Sequence, residues 1–312
     1  MEETESLNPD VTGPEHRCGT VALLGRPNVG KSTLMNRIIG AKVAIVTPKP
    51  QTTRHRILGI HTAEHSQIVF VDTPGIHKGE KQLNRNMVRV AYAAAAEADV
   101  LVIMQDVSKP LDRATRELIT GFADGRLKQP RLHVLNKVDQ VAGRSLLPRL
   151  AEVQQLDPGA VAYIPLSARR GEQVDTLLKE LIAQLPVAPA IYAADWFTDQ
   201  SQRQLAAEYV REQVFMAMQQ EIPFQTAVEI ESFCEDESGM TIEAAILVGS
   251  ARHKPMLIGK GGDRMKSIGT RARKGLEGLF DCHVDLRLWV RVQPDWFDNP
   301  GRLQDLGLGS GE

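Results

Sequence analysis

The sequence predicts an α/β domain built on a mostly parallel sheet, followed by a smaller α+β domain. Three observations carry this. Between residues 20 and 185, short apolar runs alternate with helical stretches, the order that lays helices over both faces of a parallel sheet. From 201 to 292 the order changes to α-β-β-α-α-β. Between the two, residues 187–200 follow Pro186, break the rhythm and read as a linker. The 312 residues suit about two domains at roughly 100–200 residues each.

Each element has its own signal. Residues 1–17 hold five acidic residues and two prolines; they read as a flexible acidic tail and not as a secretion signal. The α/β domain is expected over 18–186. TVALLG (20–25) is its first strand and KSTLMNRIIG (31–40) its first helix. Strands follow at QIVFVD (67–72), DVLVIMQ (99–105), RLHVLN (131–136) and VAYIPLS (161–167). Helical stretches lie between them at 85–98, 112–123, 145–156 and 172–185. The alanine-rich face from Tyr92 to Ala98 reads as close packing on the sheet. The second domain is expected over 201–299. It opens with a helix (201–220) and two strands (226–233 and 240–248) around the charged turn CEDESG. A helix–loop–helix (254–280) centred on GKGG and a last strand (283–292) complete it. Residues 300–312 read as a C-terminal tail.

Composition narrows the function. Lys and Arg number 37 against 39 Asp and Glu, a net charge of −2. That excludes a uniformly basic or acidic chain. The charge is unevenly placed: residues 250–296 carry ten Lys or Arg against five acids, and residues 221–243 carry seven acids and no base. Cys18, Cys234 and Cys282 form no CxxC pair, which argues against a disulfide framework or a zinc site. No apolar run approaches the ~18 residues of a membrane span. His61 and His65 make an H-x3-H in a polar turn, a spacing that binds metal only on a helix.

Gly25-Arg26-Pro27-Asn28-Val29-Gly30-Lys31-Ser32 fits G-x-x-x-x-G-K-[ST], with a strand before it and a helix after it. Backbone N–H groups and the helix N-terminus cradle phosphates there; Lys31 reaches the β- and γ-oxygens and Ser32 can ligate Mg2+. Thr33 is taken as a further contact. Asp72-Thr73-Pro74-Gly75 follows a second strand, where the carboxylate can hold Mg2+ through water and Gly75 N–H can meet a γ-phosphate. Asn136-Lys137-Val138-Asp139 follows a third. Asp139 can accept from N1–H and the exocyclic amine of guanine, donors that adenine lacks. Asn136 can hold the base edge and the loops, and the Lys137 stem can cover the ring. Ser167-Ala168-Arg169 can offer a backbone N–H to guanine O6. Ligands of such sheets bind beyond the carboxyl ends of strands, so these loops are expected to meet. Asn136 and Asp139 speak against an ATP-dependent kinase or ATPase.

With these motifs in place, residues 19–186 resemble a translation-factor-type P-loop GTPase domain. The segment PKPQTTRHRILGIH (48–61) is similar to the first switch of the Era GTPases. The resemblance implies that Thr52 or Thr53, with Thr53 preferred, meets Mg2+ and the γ-phosphate. The metal set is then Ser32, Thr53 and Asp72. Where Ras-like enzymes place a water-orienting glutamine, this chain has Ile76, so slow hydrolysis is expected without an activator such as K+ or RNA. No catalytic base is assigned; the candidates are Asn28, Thr53, Gly75 and His77. In related GTPases an asparagine at the position of Asn28 resembles a K+ ligand. Arg54 could act as an arginine finger, although a switch-loop arginine is expected to be solvated.

The order α-β-β-α-α-β is that of the type II, bacterial-type KH domain, and Gly259-Lys260-Gly261-Gly262 supplies the G-x-x-G where it is needed. KH domains clamp about four single-stranded nucleotides there. The expected RNA contacts are Ile258, Gly259, Lys260, Gly261, Gly262, Arg264, Lys266, Arg273 and Lys274. Phe224 and Trp289 could stack on bases, with core packing the stronger reading. A GTPase domain joined to a C-terminal KH domain resembles the Era family over residues 19–299. That implies GTP and GDP as ligands, the 3′ end of 16S ribosomal RNA and the 30S subunit as partners, and a cytoplasmic monomer. It also implies a peripheral place at the inner face of the membrane. The competing reading is a signalling or membrane-associated GTPase whose C-terminal domain binds protein.

Overall fold

The computed structural model describes residues 15–49, 52–76, 82–218, 225–237, 239–294, 296, 297 and 299–306. Its first unit contains β1 (Arg17–Gly25), α1 (Lys31–Ile39), β2 (Ile57–Ala63), β3 (Ser66–Asp72), α2 (Gln82–Glu97) and β4 (Val100–Asp106). It continues through α3 (Arg113–Ala123), β5 (Arg131–Asn136), α4 (Leu146–Leu156), β6 (Ala162–Leu166) and α5 (Val174–Gln184). The six strands form one sheet in the order β2-β3-β1-β4-β5-β6. All neighbours run parallel except β2, which is antiparallel to β3. β1 shows why the strands read as unbroken apolar runs. Val21 and Leu23 pack with α1 and α5 through Leu34, Met35, Leu177 and Leu181. Ala22 and Leu24 pack on the other face with Ala95, Ile119, Phe122 and Val153. A strand covered on both faces needs apolar residues at every position.

The segment read as a linker is held along its length. Buried Gln67 accepts from Ile191 N and Tyr192 N at 2.8 and 2.9 Å and donates to Tyr192 O at 2.8 Å. Ile60 N donates to Phe197 O at 3.0 Å, and Thr198 Oγ1 donates to Leu58 O at 2.7 Å. The strap therefore occupies the exposed edge of β2, which would otherwise offer unpaired backbone groups. Residues 1–14 of the predicted tail lie outside the described residues, and its last residues are tied to the first unit. Arg17 opens β1, and His16 O accepts from Ala188 N at 3.1 Å. His61 lies within β2 and not in the predicted turn.

The second unit contains α6 (Gln202–Ala217), β7 (Thr226–Asp236), β8 (Gly239–Val248), α7 (His253–Ile258), α8 (Asp263–Phe280), β9 (Val284–Val292) and α9 (Pro300–Asp305). Ser201 starts α6 with a capping box closed by Gln204, satisfying donors that the helix leaves open. In the β7-β8-β9 sheet, β7 is antiparallel to β8 and β9 is parallel to it. Helices α6 and α8 cover one face through Val210, Val214, Ile268 and Ala272.

The start of the predicted C-terminal tail is a helix. Asn299 caps α9, with Pro300 in its first turn, and Leu303 is 0% exposed against Trp296, Ala245 and Leu247. Burying that leucine on the second sheet face fixes the segment. Trp289 packs partly buried in the same cluster, in keeping with a core role. Phe224 lies outside the described residues.

Truncating Leu303 to alanine should destabilise the second unit by about 2–5 kcal/mol, the usual cost of such a cavity. Denaturant unfolding monitored by tryptophan fluorescence would measure it. A loss below about 0.5 kcal/mol, the range of surface substitutions, would show that α9 is not part of the core.

Candidate nucleotide and nucleic-acid sites

The first site lies beyond the carboxyl ends of β1, β3, β5 and β6. Residues 26–33 line a cleft of about 700 Å³, joined by Thr52, Thr53, Gly75, Lys137 and Arg169. The loop can take its shape because Gly25, Asn28 and Gly30 have φ of 149°, 63° and 103°. Gly75 comes so close to Pro27 that a Cβ would stand 2.7 Å from its backbone. The loop after β3 is thereby pressed on the phosphate loop, and Ile76 N donates to Gly25 O at 3.1 Å. Thr73 is structural: its hydroxyl donates to Leu23 O at 2.7 Å. Arg26 turns outward to Asp112 at 3.5 Å.

Three oxygen-bearing side chains converge deeper in the cleft. Ser32 Oγ lies 2.5 Å from Asp72 Oδ2 and 3.1 Å from Thr53 Oγ1, and Thr53 Oγ1 is 3.2 Å from the same carboxylate oxygen. Asp72 is 0% exposed, and its Oδ1 has no hydrogen-bond partner. Burial pushes its carboxyl up, against the pull of Lys31, Ser32 and Thr53. Burial likewise lowers the Lys31 ammonium, with Asp72 acting the other way. Hydroxyl and carboxylate oxygens around an unpartnered buried oxygen suit a hard cation such as Mg2+. The Thr52 hydroxyl is engaged away from this group, on Thr47 Oγ1 and Lys49 O, both at 2.8 Å. Among the described residues, no group of three or more His, Cys, Asp or Glu is arranged to hold a metal.

The loops on the base side are tied together by protein bonds. Asn136 Nδ2 donates to Val29 O at 2.7 Å, while its Oδ1 accepts from Lys137 N and Ala168 N at 2.8 and 3.0 Å. Its amide therefore holds the loops together. Lys137 Nζ bridges Asn28 O at 2.8 Å and Asp106 Oδ2 at 2.7 Å. Asp139 Oδ1 accepts from Ser167 Oγ at 2.7 Å, which aims the carboxylate. Asn28 Nδ2 donates to Pro48 O at 2.8 Å. His77 lies outside the described residues. Arg54, expected to be solvated, is 2% exposed and reaches the second unit. No local pattern in the sequence signalled this.

The second site is the turn between α7 and α8. Gly261 and Gly262 have φ of 60° and 85°, and a Cβ at either would meet nothing within 4 Å. They present bare backbone to open space. Gly259 serves packing, since its Cβ would stand 2.8 Å from Arg264 Cβ. Lys260, Arg264 and Lys266 are exposed around this turn and Arg273 and Lys274 further along α8, whereas Ile258 packs partly buried below it. Arg264 also donates to Met256 O, and Arg273 lies 3.9 Å from Glu277. On the sheet, Arg287 pairs with Glu243 at 3.1 Å and Arg291 with Glu229 at 3.0 Å. The β9 arginines thus neutralise acidic residues there, leaving the basic surface to the G-x-x-G helices.

A phosphate loop at a strand end, a buried oxygen site and a guanine-compatible carboxylate define a P-loop nucleotide-binding protein with an appended KH-like unit. Family models described as "50S ribosome-binding GTPase" and "KH domain" match residues 20–137 and 221–297. GTPase Era of Nitratidesulfovibrio vulgaris is 43% identical over 307 residues, covering 96% of this chain and 99% of the relative. GTPase Era of Pseudomonas aeruginosa is 44% identical over 297 residues, covering 94% and 95%. The crystal structure of an Aquifex aeolicus Era variant bound to GDP–AlF4− superposes with a TM-score of 0.90 at 37% identity, covering 94% of this chain and 99% of that one. An Era structure with MgGDPNP and nucleotides 1506–1542 of 16S ribosomal RNA gives the same TM-score, identity and coverage. The chain belongs to the Era family of GTPases. Among the described residues, no helix is long and apolar enough to cross a membrane.

Buried His133 sits below Asn136 on β5, between Gln105 Nε2 at 2.9 Å and Asp157 Oδ2 at 3.0 Å, with Arg131 also on Asp157 at 2.9 Å. Burial holds the His133 imidazole below its usual range, against Asp157. Burial acts to raise Asp157, but hydrogen bonds from Arg131 and His133 outweigh it and hold it low. Both folded pKa values lie below their unfolded values. The stability they contribute is therefore complete at neutral pH and lost on acidification, first below about 6.5 and then below about 3.9. The urea midpoint should fall from pH 7 to 5, and less steeply in His133→Gln. An unchanged slope in the variant would contradict this account.

Proposed function

We propose that this GTPase is a nucleotide-controlled switch that binds the 3′ end region of 16S ribosomal RNA and assists 30S subunit maturation. The observation that carries the reading is the open, positive-φ backbone of Gly261 and Gly262 inside a cluster of exposed Lys and Arg. Such a turn lets a sugar-phosphate backbone approach closely and meet positive charge. The Era structure with a 16S fragment supports the choice of RNA. Ile258, Gly259, Lys260, Arg264, Lys266, Arg273 and Lys274 supply the remaining contacts.

Residues 25–33 hold the phosphates in this reading. Ser32, Thr53 and Asp72 would hold Mg2+, which would supply positive charge against the charge that develops on the phosphoryl group. Thr73 and Pro74 shape the loop that carries Gly75 to the γ-phosphate. Asn136, Lys137, Asp139, Ser167, Ala168 and Arg169 form the base pocket, with Asp139 selecting guanine. Ile76 cannot orient water, so turnover is slow until RNA or K+ acts; Asn28 is the candidate K+ ligand. The protein works as a monomer in the cytoplasm, with any membrane contact peripheral.

Two substitutions test the two sites separately. Asp139→Asn should lower GTP affinity roughly 100-fold, the scale of two hydrogen bonds to a charged group, and favour xanthine nucleotides. Intact GTP binding would contradict the base assignment. Joint Gly261→Asp and Gly262→Asp should abolish binding to a 16S 3′-end oligonucleotide and leave GTP binding in place. The unmodified protein should lose RNA affinity with rising salt, with a slope near −0.7 per phosphate contact. RNA binding that survives both glycine changes would overturn the clamp.

A further inference from the structure

The two units are joined by more than the strap. Residues 42–49 and 52–54, the latter with Thr53 among them, meet the second unit, chiefly at α6. Lys42 pairs with Glu212, and Val46 N donates to Glu212 Oε1 at 3.1 Å. Lys49 Nζ donates to the carbonyls of Phe215 and Met218 at the end of α6, where a helix favours a cation. The contacts tighten around Thr53 itself. On its N-terminal side, Thr52 O accepts from Arg211 Nη2 at 2.5 Å, and Arg211 is held by Glu208 at 2.7 and 2.6 Å. On its C-terminal side, Arg54 Nη1 donates to Thr226 O at 2.7 Å. The Arg54 guanidinium lies 5.5 Å from the Phe215 ring centre and 5.9 Å from that of Trp296.

We propose that the KH-like unit is a positioning part of the GTPase site: Arg211 and Arg54 fasten both neighbours of Thr53 and so fix its hydroxyl beside Ser32 and Asp72. This rests on the reading of Thr53 as the residue that meets Mg2+ and the γ-phosphate. Among the anchors of this interface, two hold the residues on either side of the metal-site threonine, one through the Thr52 carbonyl and one through the Arg54 guanidinium. Both anchors are buried arginines with aromatic, carboxylate or carbonyl partners, an arrangement that tolerates little displacement. A shift of α6 against the first unit therefore moves Thr53. By linkage, a ligand that holds Thr53 also biases the position of α6. Arg54 touches neither phosphate nor metal in this scheme and acts through Thr53.

The test is a double-mutant cycle on the full chain, read as the ratio of GTP to GDP affinity in Mg2+. GDP has no γ-phosphate for Thr53 to meet, so damage to the fold lowers both affinities while loss of the clamp lowers only that for GTP. Arg54→Ala should reduce the ratio on the order of tenfold, a typical value for one hydrogen bond to a charged group. GDP affinity should stay within about twofold. Arg54→Lys should recover part of the loss. In a Thr53→Ala background, Arg54→Ala should have no further effect, because both act on one contact. If Arg54→Ala does not fold, Arg211→Gln tests the other anchor by the same ratio. An unchanged ratio in a folded Arg54→Ala protein, or effects that add in the double variant, would overturn the clamp while leaving the role of Thr53 intact. An unchanged ratio in Thr53→Ala alone would overturn the reading of Thr53 and the clamp with it.

Discussion

A single carboxamide bonds three loops from three different strands and so brings them together at one end of the sheet. Asn136 offers a donor to Val29 O and an acceptor to Lys137 N and Ala168 N. Only an amide presents both functions side by side without charge. A carboxylate would face the Val29 carbonyl with an oxygen, and leucine would leave three buried backbone groups unpaired, each costing about 1–3 kcal/mol. The approach is close enough to dictate a neighbour. A Cβ on Gly30 would stand 2.2 Å from Asn136 Nδ2. Gly30 therefore serves protein packing as much as phosphate access, and the base loop and phosphate loop cannot vary independently.

The nucleotide end of the fold could be read from the sequence because each loop there follows an apolar strand buried on both faces. Chemistry confined to a few adjacent residues then has one place to go. Other parts carried weaker signals. β2 has only Ile57–Ile60 buried in continuity and sits at the sheet edge, so no long apolar run announced it. Asn299-Pro300 does form a helix-start signal, but α9 is six residues long and is held by tertiary contacts such as Leu303 against Trp296. The surroundings of Arg54 come from Arg211, Phe215, Thr226 and Trp296, which are distant in sequence and share no period with it. Nothing local distinguishes a solvated switch-loop arginine from one buried in a neighbouring domain.

Charge is distributed on the same principle of local matching. The near-zero net charge conceals a strongly basic turn because acidic β7 lies within reach of Arg291 and Arg302, and Arg287 of β9 meets Glu243 of β8. Surface pairs of this kind add little stability. Their larger effect is to offset acidic charge across the sheet, so that the basic potential of the second unit comes from the G-x-x-G helices. An anionic polymer is then drawn to one side of the domain.

At the phosphate loop the balance runs the other way. Lys31 and Asp72 are both buried, and burial disfavours the charged form of each. Their mutual attraction offsets only part of that cost. The ammonium has two carbonyls at 3.4 Å, long for charge-assisted bonds, which run nearer 2.7–2.9 Å. The carboxylate keeps Oδ1 without a partner. A lysine short of acceptors and an aspartate short of a cation lie on either side of the same cleft. A phosphate group satisfies the first and a divalent cation the second, and neither alone satisfies both. The buried charges therefore favour an anion and a cation arriving as a pair, at the point where Thr53 Oγ1 stands 3.2 Å from the Asp72 carboxylate.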